Sequence, residues 1–158
     1  MKLVVRQAKP GEYEKIADLY KKEGPAERVR KIRREVKRNF KEMEQGKRVI
    51  LFAEVDGNVI GTVQLVFQLK DKELADGEKV ANLHHLRVEE EFRNRGIAAE
   101  LEEALVKIAK KRGFKMITLG VECDQSYDFL RNLYEGWGYS FLKENPKEKE
   151  ICFYKEIA

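Results

Sequence analysis

Two periods of apolar and polar residues alternate along this chain, and the switches between them mark its elements. "KLVVRQA" has the dense, β-branched pattern of a short strand. From Pro10 the apolar residues recur at helical spacing, with Tyr13, Ile16, Ala17 and Tyr20 on one face, and proline suits the opening turn of a helix. Gly24-Pro25 breaks that run. A second helix follows over 26–45, with Val29, Ile32, Val36, Phe40 and Met43 along one stripe and Gly46 as its expected stop. "RVILFAEVDGNVIGTVQLVFQL" reads as a hairpin, two β-rich runs around the turn signal Asp56-Gly57. "KDKELADGEK" reads as a polar, mobile loop.

"VANLHHLRV" is the next strand, with His84 and His85 expected on opposite faces. A helix over 97–112 places Ile97, Leu101, Ala104, Leu105 and Ile108 on one face and ends at Gly113. "KMITLGVEC" is apolar enough for a central strand. "SYDFLRNLY" is a short helix expected to close at Gly136, and "GYSFLK" and "EICFYKEI" are two last strands around Asn145-Pro146. The order β-αα-ββ-β-α-β-α-β-β predicts an α/β fold, one domain over 1–158 with a mixed, mostly antiparallel sheet of about seven strands flanked by helices. The strands on either side of the 97–112 helix should be parallel, joined by a right-handed crossover. Ligands of such sheets bind outside the carboxyl ends of strands.

Composition narrows the picture modestly. The 158 residues carry 38% charged side chains and a net charge of only +4, which permits an anionic ligand without demanding nucleic acid. Cys123 and Cys152 stand far apart with no CxxC or His partner, so no metal site is expected and both read as buried free thiols of a cytoplasmic protein. No run resembles a signal peptide or a membrane span.

The candidate chemistry centres on "RNRGIA", Arg93 to Ala98, between a strand and a helix. A helix start offers unpaired N–H groups and the positive end of the helix dipole, which favour anions. Neither GxxxxGK[ST] nor GxGxxG occurs in the chain. Gly96 permits close backbone approach, Ala98 is small, and Arg93 and Arg95 add forked donors for phosphate oxygens. Successive N–H groups here suit a pyrophosphate. Alone, the hexapeptide fits an ordinary basic turn equally well.

"LRVEEEFRNRGIAAELEEAL" resembles the central [R/Q]xxGx[G/A] motif of the GNAT superfamily, the acetyl-coenzyme-A-dependent N-acetyltransferases. "LYEGWGY", Leu133 to Tyr139, is similar to the later LYxxxGF motif, and the order of elements matches over nearly the whole chain. The resemblance implies a co-substrate, acetyl-coenzyme A, and no metal. It implies that the N–H groups of Arg93, Asn94, Arg95, Gly96, Ile97 and Ala98 hold the pyrophosphate. It implies too that the backbone of Leu86, Arg87 and Val88 pairs with the pantetheine arm.

Acetyl transfer to an amine poses two proton problems. An alkylammonium of pKa about 10 leaves only about one molecule in a thousand neutral at pH 7, and the departing thiolate needs a proton or a hydrogen bond. Tyr134 matches the tyrosine of the second motif, which implies the general acid; it would otherwise be a core aromatic. His84 is the leading base candidate, since imidazole suits neutral pH and some family members place a His or Glu on this strand. His85, Glu122 and ordered water stay open as alternatives, and Asn82, on the face of His84, could hold such a water. The helix bearing Tyr134 departs from the family pattern, with Tyr127 where many members have Asn and Leu130 where Ala is usual.

Between Arg28 and Lys41 stand eight Lys or Arg and one acid, Glu35. Such a face is most simply solvated; as a rim of the acceptor site it would favour an acidic acceptor. The expected acceptor is a small-molecule amine or a protein amino group. Two other readings compete: a non-catalytic coenzyme A sensor, and a nucleic-acid module gripping through the 26–45 helix, disfavoured by the mild charge and lack of interleaved aromatics. No membrane partner is expected, and exposed terminal strands would suit a homodimer.

Overall fold

A computed structural model describes residues 2–21 and 24–158. Its strands are β1 (Leu3–Gln7), β2 (Arg48–Val55), β3 (Asn58–Val66), β4 (Val80–Val88), β5 (Met116–Glu122), β6 (Ser140–Asn145) and β7 (Glu150–Glu156). The helices are α1 (Tyr13–Leu19), α2 (Ala26–Glu44), α3 (Ile97–Lys111) and α4 (Tyr127–Gly136). The strands form one seven-stranded sheet in the order β1-β2-β3-β4-β5-β7-β6. Contacts divide the chain into two compact units, residues up to Val66 with His84–Leu105, and Phe67–Leu83 with Val106–Ala158.

In the first unit β1, β2 and β3 run antiparallel. The β2–β3 turn falls at Asp56-Gly57, both left-handed (φ 51° and 81°), as a two-residue hairpin of this hand requires. A register shift follows between Ala53 and Glu54. At Gly61 on β3 an added Cβ would lie 3.2 Å from both the Arg87 carbonyl and the Leu101 side chain, so any larger residue would require β4 or α3 to give by a few tenths of an ångström. The core beneath α1 and α2 joins Ile16, Val36, Phe40, Ile50 and Phe52, with Tyr13, Tyr20, Ile32 and Met43 packed against it. These are the stripes expected from the helical spacing. Helix α1 is shorter than Pro10 suggested: residues 10–12 form a turn, and the helix begins at Tyr13.

In the second unit β4 pairs in parallel with β5, Val80–Asn82 against Met116–Thr118, as a crossover through α3 demands. β7 lies antiparallel to both β5 and β6. The last strand is therefore interior and the sheet edges are β1 and β6, which corrects the expectation that both terminal strands are exposed. The cause is in the residues: Cys152 and Phe153 on β7 are buried, whereas Phe141 on β6 is 58% exposed.

The 70–79 segment is not the mobile loop its polarity suggested. Leu74 and Ala75 are buried. Asp76 Oδ1 accepts the N–H groups of Glu78, Lys79 and Val80 at 2.9, 2.8 and 2.9 Å. Thr118 Oγ1 donates to the Leu74 carbonyl at 2.5 Å. Two buried apolar residues and these bonds together pin it.

Candidate functional site

The 93–98 loop joins a short 3-10 turn, Glu90–Phe92, to α3. Along it the backbone alternates in hand: φ is −71° at Arg93, +63° at Asn94 and +78° at Gly96, with no positive φ at Arg95. Two left-handed residues thus bend this short loop just ahead of a helix start, where unpaired N–H groups favour anions. The Gly96 carbonyl accepts the Glu100 N–H at 3.1 Å, so α3 begins here with its first N–H groups beyond intrahelical pairing. A Cβ at Gly96 would meet nothing within 4 Å; glycine is used for its conformation, not for space.

The four residues Arg93–Gly96 are exposed, Ile97 is buried as the first anchor of α3, and Ala98 is half-buried. The two arginines do different things. Arg93 Nε donates to the Val88 carbonyl at 2.8 Å, tying the loop to the end of β4. The Arg95 guanidinium lies 5.4 Å from the centre of the Phe92 ring. The sequence expectation gave both to phosphate; Arg93 also has this structural bond, and the Val88 carbonyl already carries one partner. Leu86 and Arg87 are half-buried, and the Arg87 guanidinium stacks 4.8 Å over Tyr20.

His84 and His85 do not take opposite faces. His85 has φ 53°, left-handed and uncommon for a non-glycine residue. That breaks the strand's alternation, and the two rings meet edge-on with centroids 5.3 Å apart. Burial lowers the His84 pKa to about 4, with the charges of His85 and Arg48 acting in the same direction. Burial also lowers that of His85, opposed by Glu35, whose Oε1 lies 3.7 Å from His85 Nε2. Arg48 is held by Gln64 Oε1 at 2.8 Å and by Glu42.

The loop, Leu86–Val88 and both histidines belong to the first unit, and Tyr134, Asn82 and Glu122 to the second. Tyr134 is buried against Trp137 and Tyr139, and burial raises its pKa to about 12. Its helix ends at Gly136, as expected, and the left-handed residue of the cap that follows is Gly138 (φ 98°). Gly138 N–H donates to the Glu135 carbonyl and Tyr139 N–H to that of Tyr134, the paired bonds of a left-handed helix cap.

Asn82 is buried; its Nδ2 donates to Thr118 Oγ1 at 2.8 Å, and its Oδ1 has no protein partner. A buried acceptor in that condition suits an ordered water. Glu122 is exposed and lies opposite Glu150 across the β5–β7 pairing. Cys123 is exposed rather than buried because it lies just past the end of β5; Cys152 is buried, and both are free. Tyr127 and Leu130 are half-buried on α4. Among the described residues no group of three or more His, Cys, Asp or Glu is placed to hold a metal ion, and no helix is long and apolar enough to cross a membrane.

Glu35 and Arg48 escaped the sequence reading. A single acid in a basic helix was visible, but nothing in the spacing linked it to a histidine fifty residues later.

The seven-stranded mixed sheet, with a glycine-bearing loop between its fourth strand and the following helix, is the architecture the sequence motifs implied. The model of the acetyltransferase (GNAT) family matches residues 13–139, and the chain belongs to that family. The structure is similar to a PaiA N-acetyltransferase from Thermoplasma acidophilum in complex with coenzyme A (TM-score 0.76, 17% identity, 99% of each chain covered). It is also similar to an N-acetyltransferase from Staphylococcus aureus Mu50 (TM-score 0.75, 14% identity, 100% of each chain). A third likeness is to an aminoglycoside 6'-N-acetyltransferase complexed with coenzyme A (TM-score 0.72, 19% identity, 98% of this chain and 97% of that one). As a family member the protein is an acetyltransferase, and acetyl-coenzyme A is its co-substrate.

Proposed function

We propose that this protein transfers the acetyl group of acetyl-coenzyme A directly to a primary amine, on a small molecule or a protein, as one catalytic domain. The observation that carries this reading is the alternating-hand loop Arg93–Gly96 at the start of α3, a nest suited to a pyrophosphate. Backbone groups of Leu86 and Arg87 would run beside the pantetheine arm, with the Val88 carbonyl already tied to Arg93. The Tyr134 phenol, protonated throughout the neutral range, would donate to the departing thiolate. His84 would take part in removing the amine proton. The amine attacks the thioester carbonyl, its nitrogen loses a proton, and the sulfur leaves with one. A cytoplasmic setting and a homodimer through β1 or β6 complete the reading.

Calorimetric titration with acetyl-coenzyme A and coenzyme A, against dephospho-coenzyme A and NADH as controls, tests the nest. Selective binding is expected; its absence would remove the loop from cofactor recognition. Release of free thiol in the presence of an amine panel then separates an enzyme from a coenzyme A sensor, which would bind without turnover.

A further inference from the structure

A base that strips an ammonium must hold the proton it takes, and His84 is poorly placed to do so. It is half-buried, and the charges nearest to it are those of Arg48 and, when protonated, His85. Both disfavour an imidazolium there. His85 differs in three respects. Its side chain is 34% exposed, so a proton can leave to water. Its left-handed backbone sets its ring edge-on to that of His84. And it faces the Glu35 carboxylate at 3.7 Å.

We propose that His85, supported by Glu35, carries the proton taken from the acceptor amine, and that His84 and His85 work as one base holding a single proton. The proposal rests on the acetyl-transfer reading. In it the ammonium loses a proton to the histidine pair, directly or through water. His85 holds that proton as imidazolium against Glu35 and releases it to solvent from its exposed edge. Glu35 touches no reacting atom; it is a positioning and charge-balancing residue.

The groups facing His85 are few. Burial disfavours the charged ring, and Glu35, from α2, works against that effect. From β2 comes Arg48, which opposes the charged ring, with part of its charge balanced by Glu42. From its own strand comes His84. The proposal also accounts for two otherwise idle features. Glu35 is the single acid among eight basic residues from Arg28 to Lys41. A left-handed histidine is strained, and strain of this kind is retained at sites of function.

The protein has only two histidines, so their imidazole nitrogens can be titrated by NMR in the free protein, with no substrate present, and the His85 signal assigned by its loss in His85→Asn. Removing the carboxylate in Glu35→Gln takes away support for the imidazolium, so the His85 titration should move to lower pH. The acid limb of kcat/KM, where the base becomes protonated, should move the same way, and the plateau rate should fall about tenfold as the base weakens. His85→Asn, which keeps the left-handed backbone, should lose at least that much activity while retaining coenzyme A binding. An unmoved titration and acid limb in Glu35→Gln would overturn the pairing, as would full activity in His85→Asn. If no amine yields thiol release while the NMR shift is still seen, the pair stands as an electrostatic unit and the acetyl-transfer reading fails instead.

Discussion

Tyr139 donates its backbone N–H to the carbonyl of Tyr134 at 3.1 Å, and the two rings meet edge-on with centroids 6.1 Å apart. This bond closes α4 and fixes the residue proposed as acid, and it depends on Gly138 holding φ 98° between them. Gly138→Ala should therefore destabilise the protein by about 1–2 kcal/mol. Gly136→Ala lies within the helix, where an added Cβ meets nothing within 4 Å; it should be neutral or stabilising by up to ~1 kcal/mol. Opposite shifts in thermal midpoint would check this. Equal shifts would mean that the cap is placed wrongly.

Tyr134→Phe keeps the ring packing against Trp137 and Tyr139 and removes only the hydroxyl. If the phenol protonates the thiolate, kcat should fall by about a hundredfold, with cofactor affinity little changed. Since burial lifts the Tyr134 pKa to about 12, the wild-type donor stays protonated to high pH, and no alkaline loss from this group is expected below about pH 11. Steady-state rates and calorimetry on the same variant decide it. Unchanged turnover would remove Tyr134 from the chemistry.

What the sequence made legible followed from periodicity. The faces of α1 and α2, the Asp56-Gly57 hairpin and the parallel β4–β5 pair rest on local spacing and general connection rules. The misses share another cause. His85 looked like an ordinary strand residue because its left-handed φ is imposed by tertiary context, so the opposite-face expectation failed. The end of α4 at Gly136 was legible, but the left-handed cap at Gly138 shows only in the bonds to the Tyr134 and Glu135 carbonyls. The insertion of β7 between β5 and β6 is a long-range choice that no local pattern encodes. Within the candidate site, loop and tyrosine were readable as motifs, whereas the Glu35–His85 pair depends on α2 packing and was not.

The 70–79 segment offers a separate test. Asp76 gathers three backbone N–H groups on one oxygen, which holds its carboxyl below the usual aspartate range. Asp76→Ala leaves those donors to water, so the amides of Glu78, Lys79 and Val80 should exchange much faster while the α2 core keeps its protection. Native-state hydrogen exchange would show it. Equal protection in both proteins would mean that the buried Leu74 and Ala75 alone order the segment.

Arg6 bridges Glu12 and Glu54 between β1, the turn before α1, and β2. The Glu12 carboxyl is held far below the usual glutamate range, chiefly by its hydrogen bonds to Arg6. A depressed folded pKa contributes stability that is fully present above the unfolded value of about 4.3 and is lost as pH falls toward the folded one. Glu12→Gln should cost about 1–3 kcal/mol at neutral pH, and the difference should shrink steadily as pH falls below about 4, with part of it still present at pH 2–3 because the folded carboxyl is held far below the usual glutamate range. Denaturant melts at several pH values would test this, and a pH-independent difference would refute the linkage.

Gly96 and Gly113 make a matched pair for the cofactor question. Both are left-handed, φ 78° and 91°, and at neither would a Cβ meet an atom within 4 Å. Valine at either position therefore imposes comparable backbone strain without a clash, and the two variants should lose similar stability, on the order of 1–2 kcal/mol. Only Gly96 lies in the loop proposed to hold the cofactor at the start of α3; Gly113 caps its far end, where Phe114 N–H reaches the Ala109 carbonyl. Gly96→Val should weaken coenzyme A binding by at least about tenfold, ~1.4 kcal/mol, because it disturbs the loop backbone just ahead of the helix start. Gly113→Val should bind coenzyme A nearly as the wild type does. Calorimetry on both, at a temperature where both are folded, separates a local loss of the nest from general destabilisation. Equal weakening would assign the effect to stability and leave the 93–98 loop without a demonstrated ligand.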